Sequence, residues 1–491
     1  MNYNDMIRYY TEEKRLKETV KISEEELLKQ RDFIGKIRKF NEDYEKKNNR
    51  KRTMHISTFG CQMNAHDSEK LQGILEEMGY IGCDDEMKAD VVIYNTCCVR
   101  ENAENKVYGN LGYLKHSKEE RPDMKIILCG CMMQQDTVID TIRKKYRHVD
   151  IIFGTFNLYK MPELLYTNIM TGSPITDIWK EHGEIAEDLP SVRKYKYKAC
   201  VNIMYGCDNF CSYCIVPYVR GRERSRRSED ILKEVRSLAH DGVKEIMLLG
   251  QNVNSYGKNL GENITFAKLL KMVNEVEGIE RIRFMTSHPK DLSEELIYAI
   301  RDCDKVCKHI HLPFQAGNNE ILRRMNRKYT KERYLELIGK IRKEIPGIAV
   351  TTDIMVGFPG EGRKEIEDTI DVIKKVGFSN AFTFIYSKRT GTPAAIMEDQ
   401  VEEDIVKENF NDVLKALNEI ILEINKEKVG KVFSVFAEEV SMGNSEFLTG
   451  KTDDNTIVHF RGSDDMLGNF YNVKITDCKT FYTVGEIVEE N

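Results

Sequence analysis

Six cysteines stand where they could do chemistry together. Cys207, Cys211 and Cys214 form a C-x3-C-x2-C run inside "MYGCDNFCSYCIVPYVRGRERSRR", and five arginines follow between Arg220 and Arg227. Three thiolates from one tight loop can hold three irons of a 4Fe–4S cube and leave the fourth iron open to a small molecule. Zinc usually takes a complete set of four ligands, and no cysteine or histidine completes a fourth position nearby. The second set is dispersed. Cys61, Cys97 and Cys131 lie 36 and 34 residues apart, and each ends a short apolar run: "MHISTFGC", "DVVIYNTCC", "KIILCGC".

Elements must be found that bring such distant thiols together. Between the three runs lie segments of helical pattern such as "DSEKLQGILEEMGY". That alternation is the signature of βα units building a parallel sheet, whose functional edge is the carboxyl end of its strands. One βα repeat separates each pair of thiols, so all three arrive at one edge of one sheet. A second alternating series follows: "CVNIMYG", "EIMLLGQN", "RIRFMTSHP", "HIHLPFQAG", "IAVTTDIMVGFPG" and "AFTFIYSKRTGT". Six such runs predict a six-unit parallel barrel or partial barrel with its site in the loops after the strands. A strongly helical stretch from Val401 to Lys428 closes it. From Val429 short strands with Gly, Asn and Asp turns predict a small all-β barrel of the kind that often binds oligonucleotides.

The bulk composition agrees with this α/β outline. The 491 residues suit two to four domains at about 150 residues each. A net charge of −6 is small beside 74 basic and 80 acidic side chains, so only local charge is informative about a nucleic-acid partner. No run reaches 18 apolar residues and the N-terminus lacks an apolar signal core, so a cytoplasmic protein with no membrane contact is expected. Thiols stay reduced there, which turns 13 cysteines away from a disulfide framework and toward metal ligation or catalysis. Cys83, Cys200, Cys303, Cys307 and Cys478 sit in no such spacing and read as small buried hydrophobes. Residues 1–52, with 15 basic and 11 acidic side chains, read as a charged helical appendage. The expected divisions are 1–52, 53–170, a linker over 171–192, 193–425 and 426–491.

C-x3-C-x2-C at the end of the first barrel strand resembles the radical S-adenosylmethionine (SAM) superfamily. The phrases "TFGCQMNAHDSE", "NTCCVRENAENKVYGNLG", "GCMMQ", "LLGQNVNSYG", "LPFQAGNNEIL", "TTDIMVGFPGE" and "SKRTGTPAA" resemble the methylthiotransferases, from about Met54 to the end. "TFGCQMN" points within them to the MiaB-type tRNA methylthiotransferases. The resemblance implies a flavodoxin-like N-terminal methylthiotransferase domain, a partial (β/α)6 radical SAM barrel and a C-terminal, OB-like TRAM domain. It implies two 4Fe–4S clusters, one on Cys207, Cys211 and Cys214, where SAM binds the open iron and is cleaved to a 5′-deoxyadenosyl radical. The other, auxiliary cluster would sit on Cys61, Cys97 and Cys131. Strand alternation lets at most one of Cys97 and Cys98 reach that cluster, whereas Cys129 faces the same way as Cys131 and geometry alone leaves it open.

Loops at the strand ends are expected to line the SAM site. The candidates are Gln251, Asn252, Ser287, His288, Gln315, Asp353 and the turn from Gly357 to Gly360, where glycines allow close backbone approach to a ligand. His309 and His311 alternate along one strand and read as buried, hydrogen-bonded side chains. Between Arg193 and Arg227 nine basic residues face two acidic ones, so Arg220, Arg222, Arg224 and Arg226 are candidate RNA contacts, with SAM binding or ion pairs across a domain interface as alternatives. Lys451, His459 and Arg461 could add contacts from the C-terminal domain. The activity implied is methylthiolation of carbon 2 of N(6)-isopentenyladenosine 37 in the tRNA anticodon stem-loop, an unpaired base of the kind that can be splayed out. The same chemistry on threonylcarbamoyl-adenosine 37 or a ribosomal-protein aspartate is the near alternative, and a non-catalytic iron–sulfur RNA-binding redox sensor the distant one. The expected partners are tRNA and an electron donor such as flavodoxin or ferredoxin, with the chain a monomer.

Overall fold

Six parallel strands form the N-terminal sheet: β1 (Thr53–Thr58), β2 (Ile81–Gly82), β3 (Val91–Thr96), β4 (Lys125–Gly130), β5 (Ile151–Phe153) and β6 (Ile175–Asp177). The computed structural model describes residues 20–98, 101–180, 184–261 and 263–488. Strand order is β2-β1-β3-β4-β5-β6, the flavodoxin-like order, and it reverses between β1 and β3, the strands that lead into Cys61 and Cys97. β3 is buried along its whole length, as its run of β-branched and aromatic residues requires of a strand covered on both faces. Val92, Tyr94, Ile126 and Leu128 enter one core, while Val91, Ile93, Ile127 and Ile151 enter the other. β6 lies in the stretch expected to be linker; it pairs with β5 and forms the sheet's edge.

The charged N-terminal stretch is an integral layer rather than an appendage. Helix α1 (Glu24–Asn48) starts at Ser23, whose hydroxyl accepts from the Glu26 amide at 3.2 Å, and stops at left-handed Asn49. Its charges face water, while Ile34 and Ile37 join Leu71 and Ile74 of α2 (Gln62–Glu77) and Met161 and Leu165 of α3 (Met161–Thr171) in one core. Residues 1–19 of the expected appendage lie outside the described residues.

The barrel strands are β7 (Lys198–Asn202), β8 (Glu245–Leu249), β9 (Arg281–Phe284), β10 (His309–His311), β11 (Ala349–Val356) and β12 (Asn380–Ile385). They pair in parallel as two three-stranded sheets, β7-β8-β9 and β10-β11-β12. The Ile282 amide to Lys305 O (2.7 Å) and the Cys307 amide to Ile282 O (2.9 Å) stitch the two into one open barrel. The helix predicted to close it is α4 (Glu403–Lys426), which buries Val413, Leu417 and Ile421 in the barrel's outer core.

The C-terminal strands β13 (Val432–Val440), β14 (Phe447–Thr452), β15 (Ile457–Arg461), β16 (Phe470–Cys478) and β17 (Thr483–Ile487) close into a small barrel. Buried Arg283 docks it, donating to Thr452 O at 2.7 Å and to Glu245 at 3.0 Å. No helix among the described residues is long and apolar enough to cross a membrane.

Because Ile37 is fully buried, Ile37→Ala should lower stability by about 2–5 kcal/mol. At exposed Lys36 an alanine should cost less than about 0.5 kcal/mol. Urea unfolding checks both, and equal small effects would return α1 to the status of an appendage.

Candidate functional site

The three dispersed thiols meet at the carboxyl edge of the N-terminal sheet. Cys61 lies at the start of α2, just beyond Gly60, and a Cβ at residue 60 would lie 2.5 Å from Cys97 Sγ. Asn64, in the first turn of α2, ties the strand ends together. Its amide donates to Phe59 O at 2.8 Å and Thr96 O at 2.9 Å, and its Oδ1 lies 4.0 Å from Cys61 Sγ and 3.9 Å from Cys131 Sγ. Asn64 stands inside "TFGCQMN", yet only its position one turn after Cys61 marks it in the sequence.

Two expectations about the neighbouring cysteines change. Gly130 has φ +92, and a Cβ there would lie 2.4 Å from Thr96 O, so the chain turns at once and starts a new 3-10 turn at Cys131. Cys129 therefore does not face the way Cys131 does; it packs with Ile127 and Ile151 on the opposite face, where burial pushes its thiol well up. Cys97 and Cys98 lie beyond the last ladder residue, Thr96, where alternation no longer applies. The Cys98 thiol consequently hydrogen-bonds Cys131 while Cys97 packs against Gly60. The bond from Cys98 and the Arg220 guanidinium hold the Cys131 thiol below its ordinary range against the opposing effect of burial.

The clustered thiols lie on the loop after β7. The Cys207 amide donates to Gly221 O at 3.1 Å and the Cys214 amide to Cys211 O at 2.9 Å. Asn326 holds Phe210 O at 2.8 Å, and Ser212 takes part in bonds with Met325 and Ala394. Buried Arg327, which nothing in its "NRKYT" context flags, lies with Nη1 3.5 Å from Cys211 Sγ. Burial, with the Glu223 carboxylate and the neighbouring thiols, pushes Cys207 well up, and burial beside Cys211 takes Cys214 to about 12. Thiols that resist ionising together are stable as thiolates only around positive charge, which is the chemistry of a metal group. Among the described residues no three of His, Cys, Asp and Glu pack closely enough for a single ion. A cube needs no such packing, since each thiolate takes a different iron.

The strand ends beside this loop carry polar atoms that the protein does not satisfy. Gln251 Oε1, Asn252 Oδ1, Ser287 Oγ and His288 Nε2 are buried without a hydrogen-bond partner among the described residues. Such atoms are costly unless a ligand meets them, and they fit a polar molecule such as SAM. His288 Nδ1 accepts from the Lys290 amide at 3.2 Å, which leaves the proton of the neutral ring on Nε2, and burial pulls the ring's pKa far down. Thr286 and Gln315 both have φ +68, an unusual conformation for such residues that persists where surroundings enforce it. The Gln315 amide donates to Asp353 O at 2.9 Å, and Asp353 Oδ1 lies 3.4 Å from His311 Nε2. Gln251 Nε2 also meets Met63 Sδ, two residues past Cys61, so the barrel mouth faces the dispersed thiols.

Other candidates lie elsewhere. His309 and His311 share Thr351 Oγ1 at 2.8 and 3.0 Å, and burial takes His309 down to about 3. The turn from Gly357 to Gly360 meets protein rather than open space: a Cβ would lie 2.7 Å from Val406 at the first and beside the Arg324 guanidinium at the second. Cys303 and Cys307 are buried as expected, whereas Cys83, Cys200 and Cys478 are half-buried.

The arginines are drawn inward. Arg220, Arg224 and Arg226 are each about 5% exposed or less, which leaves no open face for a phosphate. Arg226 pairs with Glu187 at 2.8 Å and Glu234 at 2.6 Å and donates to Asn202 O at 2.6 Å. Arg224 lies over Phe156, and Arg222 lies over Phe210 beside Asp208. Of these arginines, Arg220 ion-pairs with Asp67 across the domain interface and Arg226 with Glu187, while Arg222 pairs with Asp208 on its own loop. In the C-terminal barrel His459 is held by Ser441 and Thr449, Lys451 is half-buried and its carbonyl accepts from Arg281, and Arg461 is exposed beside Glu446.

Comparison with known proteins places this geometry. The family described as the Radical SAM superfamily matches residues 201–373, Uncharacterized protein family UPF0004 matches 53–154, and the TRAM domain matches 426–488. A tRNA-2-methylthio-N(6)-dimethylallyladenosine synthase of Acetivibrio thermocellus is 56% identical over 96% of this chain and 98% of its own length. One from Clostridioides difficile is 55% identical over 96% and 98%. Among solved structures, the radical S-adenosylmethionine methyltransferase TsrM of Kitasatospora setae shares the fold, with a TM-score of 0.52 at 14% identity over 70% of this chain and 74% of that one. A radical SAM domain carries a 4Fe–4S cluster and uses SAM, and the buried C-x3-C-x2-C loop beside unsatisfied polar atoms suits both. By identity sustained along nearly its whole length, the chain belongs to the tRNA-2-methylthio-N(6)-dimethylallyladenosine synthase family of radical SAM methylthiotransferases.

Proposed function

We propose that the chain methylthiolates carbon 2 of N(6)-isopentenyladenosine at position 37 of tRNA, giving the 2-methylthio derivative. The observation that carries this reading is the meeting of two three-thiol sets across one domain interface, with Gln251 against Met63 and Arg220 against Cys131. Carbon 2 of adenine bears an unactivated C–H bond, and a reaction there needs both a means of removing hydrogen and a store of sulfur. When bound, SAM and a cluster on Cys207, Cys211 and Cys214 supply the radical, while a second cluster on Cys61, Cys97 and Cys131 supplies a place for the sulfur.

The residues divide the remaining work. Asn252, Ser287 and His288 offer SAM hydrogen-bonding atoms that the protein leaves unmatched, and Gln251 reaches from the same mouth toward the Cys61 loop. Gln315 and Asp353 bring a further amide and carboxylate to the adjoining strand ends. Arg327 places positive charge beside Cys211, where three thiolates would otherwise repel one another. tRNA contacts fall to surfaces outside the buried arginines, including exposed Arg461 and Arg227. The closed C-terminal barrel supports this, since such barrels often bind oligonucleotides.

Two substitutions separate the thiol sets in anaerobically reconstituted protein given SAM, reductant and an isopentenylated anticodon stem-loop. Cys207→Ala should abolish 5′-deoxyadenosine formation, and continued formation would refute its role. Cys61→Ala should remove about half of the iron and leave SAM cleavage without methylthio product. An unchanged iron content would show that the second cluster lies elsewhere.

A further inference from the structure

Arg220 belongs to the barrel domain but makes its side-chain contacts in the N-terminal domain. Its Nε lies 3.2 Å from Cys131 Sγ, and its Nη2 lies 2.6 Å from Asn64 Oδ1 and 3.0 Å from Asp67 Oδ2. The side chain is buried, and the chain direction makes the placement unusual. The next carbonyl, Gly221 O, accepts the amide of Cys207 at 3.1 Å. Two consecutive residues thus serve the two thiol sets, one through its backbone and one through its side chain.

A guanidinium stays charged under all ordinary conditions, and burying it is costly unless negative charge surrounds it. Asp67 is a single carboxylate, held by one Nη2 bond, while Nε is aimed at sulfur. Its planar fork matches three acceptors from one helix turn and one strand end, which a lysine ammonium cannot reproduce. Positive charge held next to a ligand sulfur favours the more negative, reduced state of an iron–sulfur cluster, because net charge and hydrogen bonds to sulfur set its potential.

We infer that Arg220 is a positioning residue that docks the auxiliary cluster against the barrel and raises that cluster's reduction potential. The inference rests on the reading that Cys61, Cys97 and Cys131 hold a cluster. Asp67 acts in the opposite sense, as the carboxylate that moderates the same charge.

The test uses the full chain with Cys207, Cys211 and Cys214 replaced by alanine, so that only the auxiliary cluster reports. Iron content, circular dichroism and an EPR-monitored redox titration are measured for this parent and for it carrying Arg220→Met, Arg220→Lys or Asp67→Asn. The expected results are a lower midpoint potential for Arg220→Met, partial recovery for Arg220→Lys and a higher potential for Asp67→Asn. Iron lost from Arg220→Met but kept by Arg220→Lys would support the same role. Potentials unchanged in Arg220→Met and Asp67→Asn would overturn it, as would equal iron loss from both Arg220 variants at unchanged circular dichroism with no shift in Asp67→Asn. Should either Arg220 variant fail to fold, the Asp67→Asn shift decides alone, since it leaves the arginine in place. A parent that binds no iron would overturn instead the auxiliary-cluster reading.

Discussion

Parallel strand pairing is the constraint on which the site depends. Thiols 36 and 34 residues apart can share one location only if the strands before them end at the same edge of one sheet. In the N-terminal domain β1, β3 and β4 are adjacent and parallel, so Cys61, Cys97 and Cys131 emerge side by side. The barrel repeats the logic with six parallel strands, whose ends gather the C-x3-C-x2-C loop, Gln251, Ser287 and Gln315. What remains is to turn the two edges toward each other. Contacts such as Gln251 to Met63 and Arg220 to Cys131 occur where they face.

That facing is held by buried charge rather than by apolar surface alone. Arg220 closes on Asp67 of the N-terminal domain and Arg226 on Glu187 of the connecting stretch, with Glu234 of the barrel's own helix over Ser228–His240 completing the Arg226 pairing. Buried pairs of this kind contribute little net stability, because desolvation offsets most of the attraction. Their directional bonds nonetheless penalise any arrangement that leaves a buried charge unmatched. An interface built this way specifies one relative placement of the domains, and with it of the two thiol sets.

Features carried by local pattern were legible in the residues. The C-x3-C-x2-C loop, the three strand-end cysteines, the alternating βα texture and the turn-rich C-terminal strands each announce themselves within a short window. Features decided by distant partners were not. Nothing near Arg226 foretells Glu187, 39 residues earlier, so a run of arginines reads as an open basic face until the fold buries it. The charges of α1 mask the two isoleucines that anchor it, and short β6 is too polar to distinguish from linker. Cys98 and Cys131 escape strand alternation for one reason: it holds along a ladder and lapses beyond Thr96 and Gly130, where these two residues lie.

Two thiol sets, a barrel mouth with unmatched polar atoms and a family membership together point to one reaction on one nucleoside. Mass spectrometry of tRNA nucleosides from cells lacking this protein tests that union most directly. The 2-methylthio group should disappear while N(6)-isopentenyladenosine accumulates with its isopentenyl group intact. Undiminished 2-methylthio-N(6)-isopentenyladenosine, or a loss confined to threonylcarbamoyl-adenosine, would contradict it.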